Sequence, residues 1–286
     1  MSEPSPQKQR WGILFGNPRF LLGISFVILT LVMALLAPYI SPYEIDDGDF
    51  TNRLCAPSGD HWLGCDVNGA DILTIMLWGA RTSLYVGFLT VALSVFVGVG
   101  VGLVSGYYGG AIDGILMRIV DIFMAFPGIL LAMCLTALLG PSLNTVIFAI
   151  SATGWTSAAR LVRGQVLSIR EREFVLASQA FGAQATRLML KHILPHTLTP
   201  LIVHGTFSLS GVIIVEAGLS YLGLGAQDST LTWGALLGQS SEIELSQGLH
   251  LTLIPGAAIF MLVMSLNFIG DALRDVLDPK SLRELN

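Results

Sequence analysis

The sequence predicts an all-α membrane protein with six transmembrane helices. Three observations carry this: a deficit of charge, six long apolar segments, and a one-sided distribution of Lys and Arg. Of 286 residues, 53% are hydrophobic and only 12% are charged, about half the charged share of a soluble domain. The hydrocarbon core of a bilayer is about 30 Å thick, so a helix needs about 20 mostly apolar residues to cross it. The segments that meet or approach this are Phe20–Ile40, Ser83–Val104, Ile122–Leu139, Thr145–Val162, Leu198–Val215 and Leu251–Gly270.

In chain order, residues 1–19 form a cytoplasmic N-terminal segment, polar over Met1–Arg10, after which Trp11–Phe20 can lie along the inner membrane surface with Trp11 and Phe15 as anchors. The first helix, 20–40, has an apolar run longer than the 7–15 residues of a signal peptide and lacks a small-residue cleavage site, so a retained helix is expected. A long loop, 41–81, follows. The second helix carries Gly98, Gly102 and Gly106 four apart, a small-residue face that lets a neighbouring backbone approach. The third and fourth helices are one apolar run split at Gly140-Pro141-Ser142-Leu143-Asn144, whose residue types form tight turns. Pro127 and Pro255 are each placed to kink or break a helix.

Lys and Arg set the orientation. With the N-terminus in the cytoplasm, the inner side holds thirteen of them, among them Arg118, Arg160, Arg163, Arg170, Arg172, Arg187 and Lys191, and the outer side only Arg53 and Arg81. Both termini, including a tail at 276–286, are expected to be cytoplasmic, and the 41–81 loop is expected to be external. That loop holds Cys55 and Cys65 in an oxidising location, so a disulfide there is open, and sequence does not show whether the two meet. No Cys/His cluster has zinc spacing, and no metal or cofactor is expected on this chain.

The cytoplasmic loop 163–196 is basic and helical in pattern. Phe174, Ala177, Ser178 and Phe181 fall at i, i+3, i+4 and i+7, so two small residues lie between two aromatics on one stripe. Such a stripe suits a partner protein that approaches closely, and an amphipathic helix on lipid has the same composition. Gly182 ends that helix, and a second stretch, Gln184–Ile193, is closed by Pro195.

This loop resembles the EAA loop of ABC importer permeases. That pattern is Glu-Ala-Ala, three residues, Gly, nine residues, Ile-x-Leu-Pro, and here Ala177, Ser178, Gly182, Leu194 and Pro195 fall in register, with Leu176 in place of Glu and His192 in place of Ile. His61-Trp62-Leu63-Gly64, Gly79-Ala80-Arg81-Thr82-Ser83-Leu84, Gly106-Tyr107-Tyr108-Gly109-Gly110, Ala125-Phe126-Pro127, the run Glu216–Gly225 and the run Gly270–Lys280 are similar to the peptide/nickel branch of that family. The dipeptide permease C type is the nearest pattern, although Cys65 stands where it more often has Thr.

The resemblance implies a five-helix permease core, 82–275, behind the extra N-terminal helix, in a bacterial inner membrane. It implies a homologous second permease, two ATPase subunits that hold ATP and Mg, and an external solute-binding protein. It assigns ATPase coupling to Arg172, Glu173, Phe174, Leu176, Ala177, Ser178, Phe181 and Gly182. Di- or oligopeptides are the implied substrate, with nickel or another small solute as the alternative.

The chain is not expected to be an enzyme itself. Lys8, Lys191 and Lys280 follow Gln7, Leu190 and Pro279, so no Gly-Lys pair exists to build a P-loop. Gly218-Leu219-Ser220-Tyr221-Leu222 lacks the closing glycine of a hydrolase elbow, and no HExxH occurs. The helix centres lack the buried ionisable pairs that an ion-driven carrier would use. His204, with Ser208 one turn on, lies inside the fifth helix, where a polar group must find a partner or line a wet cavity, so both are pathway candidates. Glu216, near the outer end of that helix, is expected to anchor the next loop rather than bind substrate. Nothing suggests nucleic acid.

Overall fold

The computed structural model describes residues 14–45, 47–225, 231–241, 243 and 245–277; most of the polar N-terminal segment, Trp11, and most of the tail lie outside them. Helices dominate, and the described residues contain no β-strand, only one isolated bridge between Cys65 and Asp71. The helices are α1 (Pro18–Ile40), α2 (Ile72–Tyr108), α3 (Gly110–Met124), α4 (Gly128–Leu139), α5 (Leu143–Ile169), α6 (Glu173–Ala180), α7 (Ala185–Tyr221), α8 (Trp233–Ser240) and α9 (Leu245–Leu277). Among the described residues, five are long and apolar enough to cross a membrane, and α3 with α4 makes a sixth if that bent pair is one span.

The helix starts are locally encoded. Asn17, Asp71, Ser142 and Thr232 each accept a hydrogen bond from a backbone N–H in the first turn of the helix that follows, which satisfies a donor the helix leaves free. Ser142 is also the pivot of the expected turn between α4 and α5, where Gly140 has φ +87°.

The bundle is organised around a parallel pair, α2 and α5. A Cβ on Gly98 would come within 2.7 Å of the Trp155 carbonyl oxygen, and one on Gly102 within 2.6 Å of the Ala159 carbonyl. Gly106 faces Val166 in the same way. The three glycines are therefore the contact face of a helix seam, which close backbone approach stabilises in lipid. α7 packs against both members of this pair, α9 packs on α7, and α1 lies on α9, where Gly23 leaves space for the Ser265 carbonyl. The end of the bundle that holds Tyr108 and Ile169 is called the lower end below, and the end that holds residues 41–71 the upper end.

Several sequence expectations are corrected. The apolar run 122–139 is not one helix, and it breaks at Pro127, as that proline's placement led one to expect: α3 and α4 meet at an 81° bend, with Pro127 at the N-cap of α4. Proline cannot donate to the preceding turn and its ring crowds that turn's carbonyl, so the chain breaks there. Pro255, by contrast, is carried inside α9, and the non-helical residue is Gly248, with φ −121° and ψ 19°. The loop expected over 41–81 is irregular only as far as Asp71, since α2 starts at Ile72, eleven residues before the apolar segment Ser83–Val104. The loop expected over 163–196 shrinks likewise, because α5 runs on to Ile169 and α7 starts at Ala185. Nor does Pro195 close a helix. Residues Leu188–Ile193 form a π-helical stretch, and the Leu194 N–H donates to the Met189 carbonyl. Widening the turn accommodates the proline ring without ending the helix.

Candidate functional site

At the lower end, α6 is held as a short helix in a corner of the bundle. Glu173 occupies its first turn behind Arg172, where a carboxylate is favoured by the helix dipole. Its last turn closes on Gly182, which has φ +82°. There the Gly182 N–H donates to the Gln179 carbonyl at 2.9 Å and the Ala183 N–H to the Ser178 carbonyl at 3.1 Å. This pair of bonds is a Schellman closure, and it needs a residue that tolerates a left-handed backbone.

One side chain of α6 is buried. Val175 is 1% exposed and belongs to a cluster with Leu103, Val162, Val166, Ile169, Leu188, Ile193 and Leu201. The remaining face points away from the bundle: Phe174 is 38% exposed, Leu176 51% and Phe181 92%. Ala177 is exposed and Ser178 half-buried, and the Ser178 hydroxyl donates to the Phe174 carbonyl at 2.8 Å. Phe174 also lies against the His196 ring, with centroids 5.1 Å apart. The sequence stripe is thus a contiguous surface around two small residues.

Two arginines on the approach to α6 connect it to the α2–α3 corner. Arg163 makes a two-pronged pair with Asp113, both bonds at 2.6 Å, and Ser105 donates to the same carboxylate. Arg170, two residues before Arg172, donates to the Gly106 carbonyl at 2.9 Å, next to Gly109 with φ +66°. Arg160 pairs with Asp121 further along α3. Sequence reading used these residues only as orientation charges, since their partners lie 39–64 positions away.

Inside the bundle, His204 and Ser208 border a cavity of about 230 Å³ between α2, α5 and α7. The His204 Nε2 lies 3.4 Å from the Ser157 hydroxyl and 3.3 Å from that of Ser208. Ser94 and Thr153 add hydroxyls to the lining, and the Ser94 hydroxyl is buried with no partner among the described residues. Glu216 is buried nearer the upper end, accepting from Ser220 at 2.9 Å and from Ser83 at 3.3 Å, so it ties α7 to α2.

At the upper end, the loop between α1 and α2 is tightly cross-linked. Cys55 and Cys65 form a disulfide with Cα atoms 4.8 Å apart. The Cys65 N–H donates to the Cys55 carbonyl, and the Leu54 N–H to the Asp66 carbonyl, both at 3.0 Å. Hydrogen bonds from the Thr51 hydroxyl and N–H hold the Asp49 carboxyl below its ordinary value. Sequence spacing gave no Cys/His group, yet the fold gathers Cys55, His61 and Cys65, whose donor atoms lie within 4.8 Å of one another. A larger opening of about 710 Å³ lies beside this loop, bordered by Phe50, Arg53, Asn68, Tyr221 and Gln239.

A family model described as a binding-protein-dependent transport system inner membrane component matches residues 98–283. The chain belongs to that family. A second model, the N-terminal TM domain of oligopeptide transport permease C, matches residues 5–57 of the permease. The permease is 40% identical over 276 residues to the dipeptide transport system permease protein DppC of Alkalihalophilus pseudofirmus, covering 96% of this chain and 90% of that protein. It is 38% identical to the oligopeptide transport system permease protein OppC of Bacillus subtilis, covering 92% and 86%. It is 41% identical to the glutathione transport system permease protein GsiD of Escherichia coli, covering 89% and 84%. The fold is similar to a chain of the inward-facing MetNI methionine ABC transporter, with a TM-score of 0.58 at 22% identity, covering 71% of the permease and 96% of that chain. The permease is a multi-pass inner membrane protein of the transport class, not an enzyme family.

Proposed function

We propose that this permease forms half of the translocation pathway of an ATP-driven, binding-protein-dependent importer of di- or oligopeptides. The observation that carries the reading is α6: a helix whose one buried side chain is Val175, and whose Phe174, Ala177 and Phe181 are exposed. A helix that keeps one small-residue face open between two aromatics fits a groove on an ATPase subunit. Arg163 and Arg170 fasten the ends of the neighbouring helices around it, so a push on α6 reaches the α2–α3 corner. The lower end is then cytoplasmic and the upper end external, in keeping with the charge asymmetry.

His204, Ser157 and Ser208 supply the polar wall of this subunit's share of the pathway, and a second permease supplies the other half. The substrate class rests on the relatives, whose names specify dipeptides, oligopeptides and glutathione. ATP and Mg are placed on the ATPase subunits, and the upper-end opening faces the external solute-binding protein.

The test is uptake of labelled dipeptides and tripeptides by cells that carry the whole system, with and without a hydrolysis-deficient ATPase subunit. Uptake should require hydrolysis. Uptake that continues without it would make the chain part of an ion-driven carrier. Reporter fusions after Asn68 should score external and fusions after Arg187 cytoplasmic, and a cytoplasmic score after Asn68 would invert the topology.

A further inference from the structure

We propose that the upper-end loop is a redox-gated zinc site, in which Cys55, Cys65 and His61 bind one Zn²⁺ whenever the Cys55–Cys65 disulfide is reduced. The donor set comes from the fold. A sulfur from each cysteine and a ring nitrogen of His61 lie within 4.8 Å of one another, and two thiolates with one imidazole suit a tetrahedral zinc whose fourth ligand is water.

The histidine is already held by its neighbours. Its Nδ1 lies 3.1 Å from an Asp71 carboxylate oxygen, and its ring stacks on Tyr43 with centroids 4.9 Å apart. Asp71 is itself fixed, because it is buried and its other oxygen accepts from the Thr74 N–H at 2.9 Å and the Thr74 hydroxyl at 3.0 Å. With the Nδ1–H donated to Asp71, Nε2 carries the lone pair, which is the carboxylate–histidine arrangement that supports zinc ligands.

The cysteines are held together by more than their bond. The Cys65 N–H donates to the Cys55 carbonyl at 3.0 Å, and around it the Gly64 N–H donates to the His61 carbonyl at 3.0 Å, the Ser58 N–H to the same carbonyl at 2.8 Å, and the Ile72 N–H to the Gly64 carbonyl at 3.0 Å. Breaking the disulfide therefore leaves the two sulfurs close to His61. The chemistry balances. A dithiol oxidoreductase gives two electrons and two protons to the disulfide and leaves as its own disulfide, and the two thiols then release two protons on binding Zn²⁺. Two thiolates and Zn²⁺ carry no net charge, so the metal replaces a neutral disulfide without adding charge to the loop. Asp71 also caps α2, so either staple fixes the start of that helix.

The test uses the full-length permease in detergent with Cys134→Ser, which removes the one other cysteine. Co²⁺ is the probe, added after reduction by a phosphine and removal of the reductant. The expected result is a sulfur-to-cobalt charge-transfer band with tetrahedral d–d bands, saturating at one equivalent and displaced by Zn²⁺, and absent from the oxidised protein. Asp71→Asn should weaken binding by about 10–100-fold, and His61→Ala should weaken it at least as much and shift the d–d bands. No thiolate–cobalt band in the reduced protein, or an unchanged spectrum and affinity in His61→Ala, would overturn the site. Neither readout depends on transport.

Discussion

The two connections at opposite ends of the bundle are built on opposite plans. The upper loop, between α1 and α2, is pinned by its own internal bonds: Asp66 and Asp71 are buried, Asp66 accepts from the Asn68 and Ala70 N–H groups at 2.8 Å, and the disulfide closes the turn. The lower connection, 170–184, satisfies its backbone and leaves its side chains outward. α6 commits Val175 to the core and keeps Phe174, Leu176, Ala177 and Phe181 exposed. A loop cross-linked by such bonds and a disulfide is a fixed part of the scaffold. A helix whose backbone is satisfied and whose apolar face is open is shaped for a partner, since an exposed patch of that kind on an ordered element otherwise has no compensation. The difference supports placing the ATPase at the lower end.

The largest effect that would sharpen this contrast comes from Ala177→Trp. It adds bulk at the centre of the α6 face without touching the core, and overpacking of a docked surface costs about 1–3 kcal/mol. Since about 1.4 kcal/mol is tenfold in affinity, retention of the ATPase subunits in pull-downs should fall roughly tenfold or more, and uptake should be lost while membrane insertion stays normal. Retention at the wild-type level would break the comparison.

The reverse pattern is expected from the upper loop. The Cys55→Ser/Cys65→Ser double variant opens a ten-residue separation and should cost about 2–3 kcal/mol by the chain-entropy account, read as a lower unfolding temperature under metal-free conditions. ATPase retention should not change. Val175→Ala is intermediate, because it removes the one buried anchor of α6. The lost burial is about 1.5 kcal/mol, and limited proteolysis should cut first between residues 170 and 184. Smallest is Leu176→Glu, an exposed change that should stay within about 0.5 kcal/mol in stability and leave uptake intact.

The elements that sequence made legible are those set by local signals. The Ser142 turn, the Gly182 closure and the glycine face of α2 each follow from a residue type acting on its own backbone or its immediate neighbour. The elements that it missed depend on distant partners. α2 begins at Ile72 because Asp71 caps it and because Ile72, Ile75 and Met76 pack in a cluster with Trp233, Leu236 and Leu251, and hydropathy alone stops at Arg81. Pro195 passed as a helix end because the π-helical stretch that absorbs it has no sequence pattern of its own. Cys55, His61 and Cys65 escaped spacing rules because the turn that joins them, not their separation, brings the donors together. For the candidate site, the α6 stripe was readable at 3.6-residue periodicity, whereas Asp113–Arg163 and Arg170–Gly106 were not, since only the α2–α5 seam brings them together.

The central claim, that the lower end carries the ATPase contact, is tested most directly by site-specific cross-linking in the assembled importer. Ala177→Cys and, as the upper-end control, Ser58→Cys are placed separately in the Cys134→Ser background, each with a short bifunctional thiol–amine reagent. Cross-linking to an ATPase subunit from position 177 and none from position 58 is the predicted result. A complex that retains its ATPase subunits yet cross-links to them from position 58, or not at all from position 177, would contradict it.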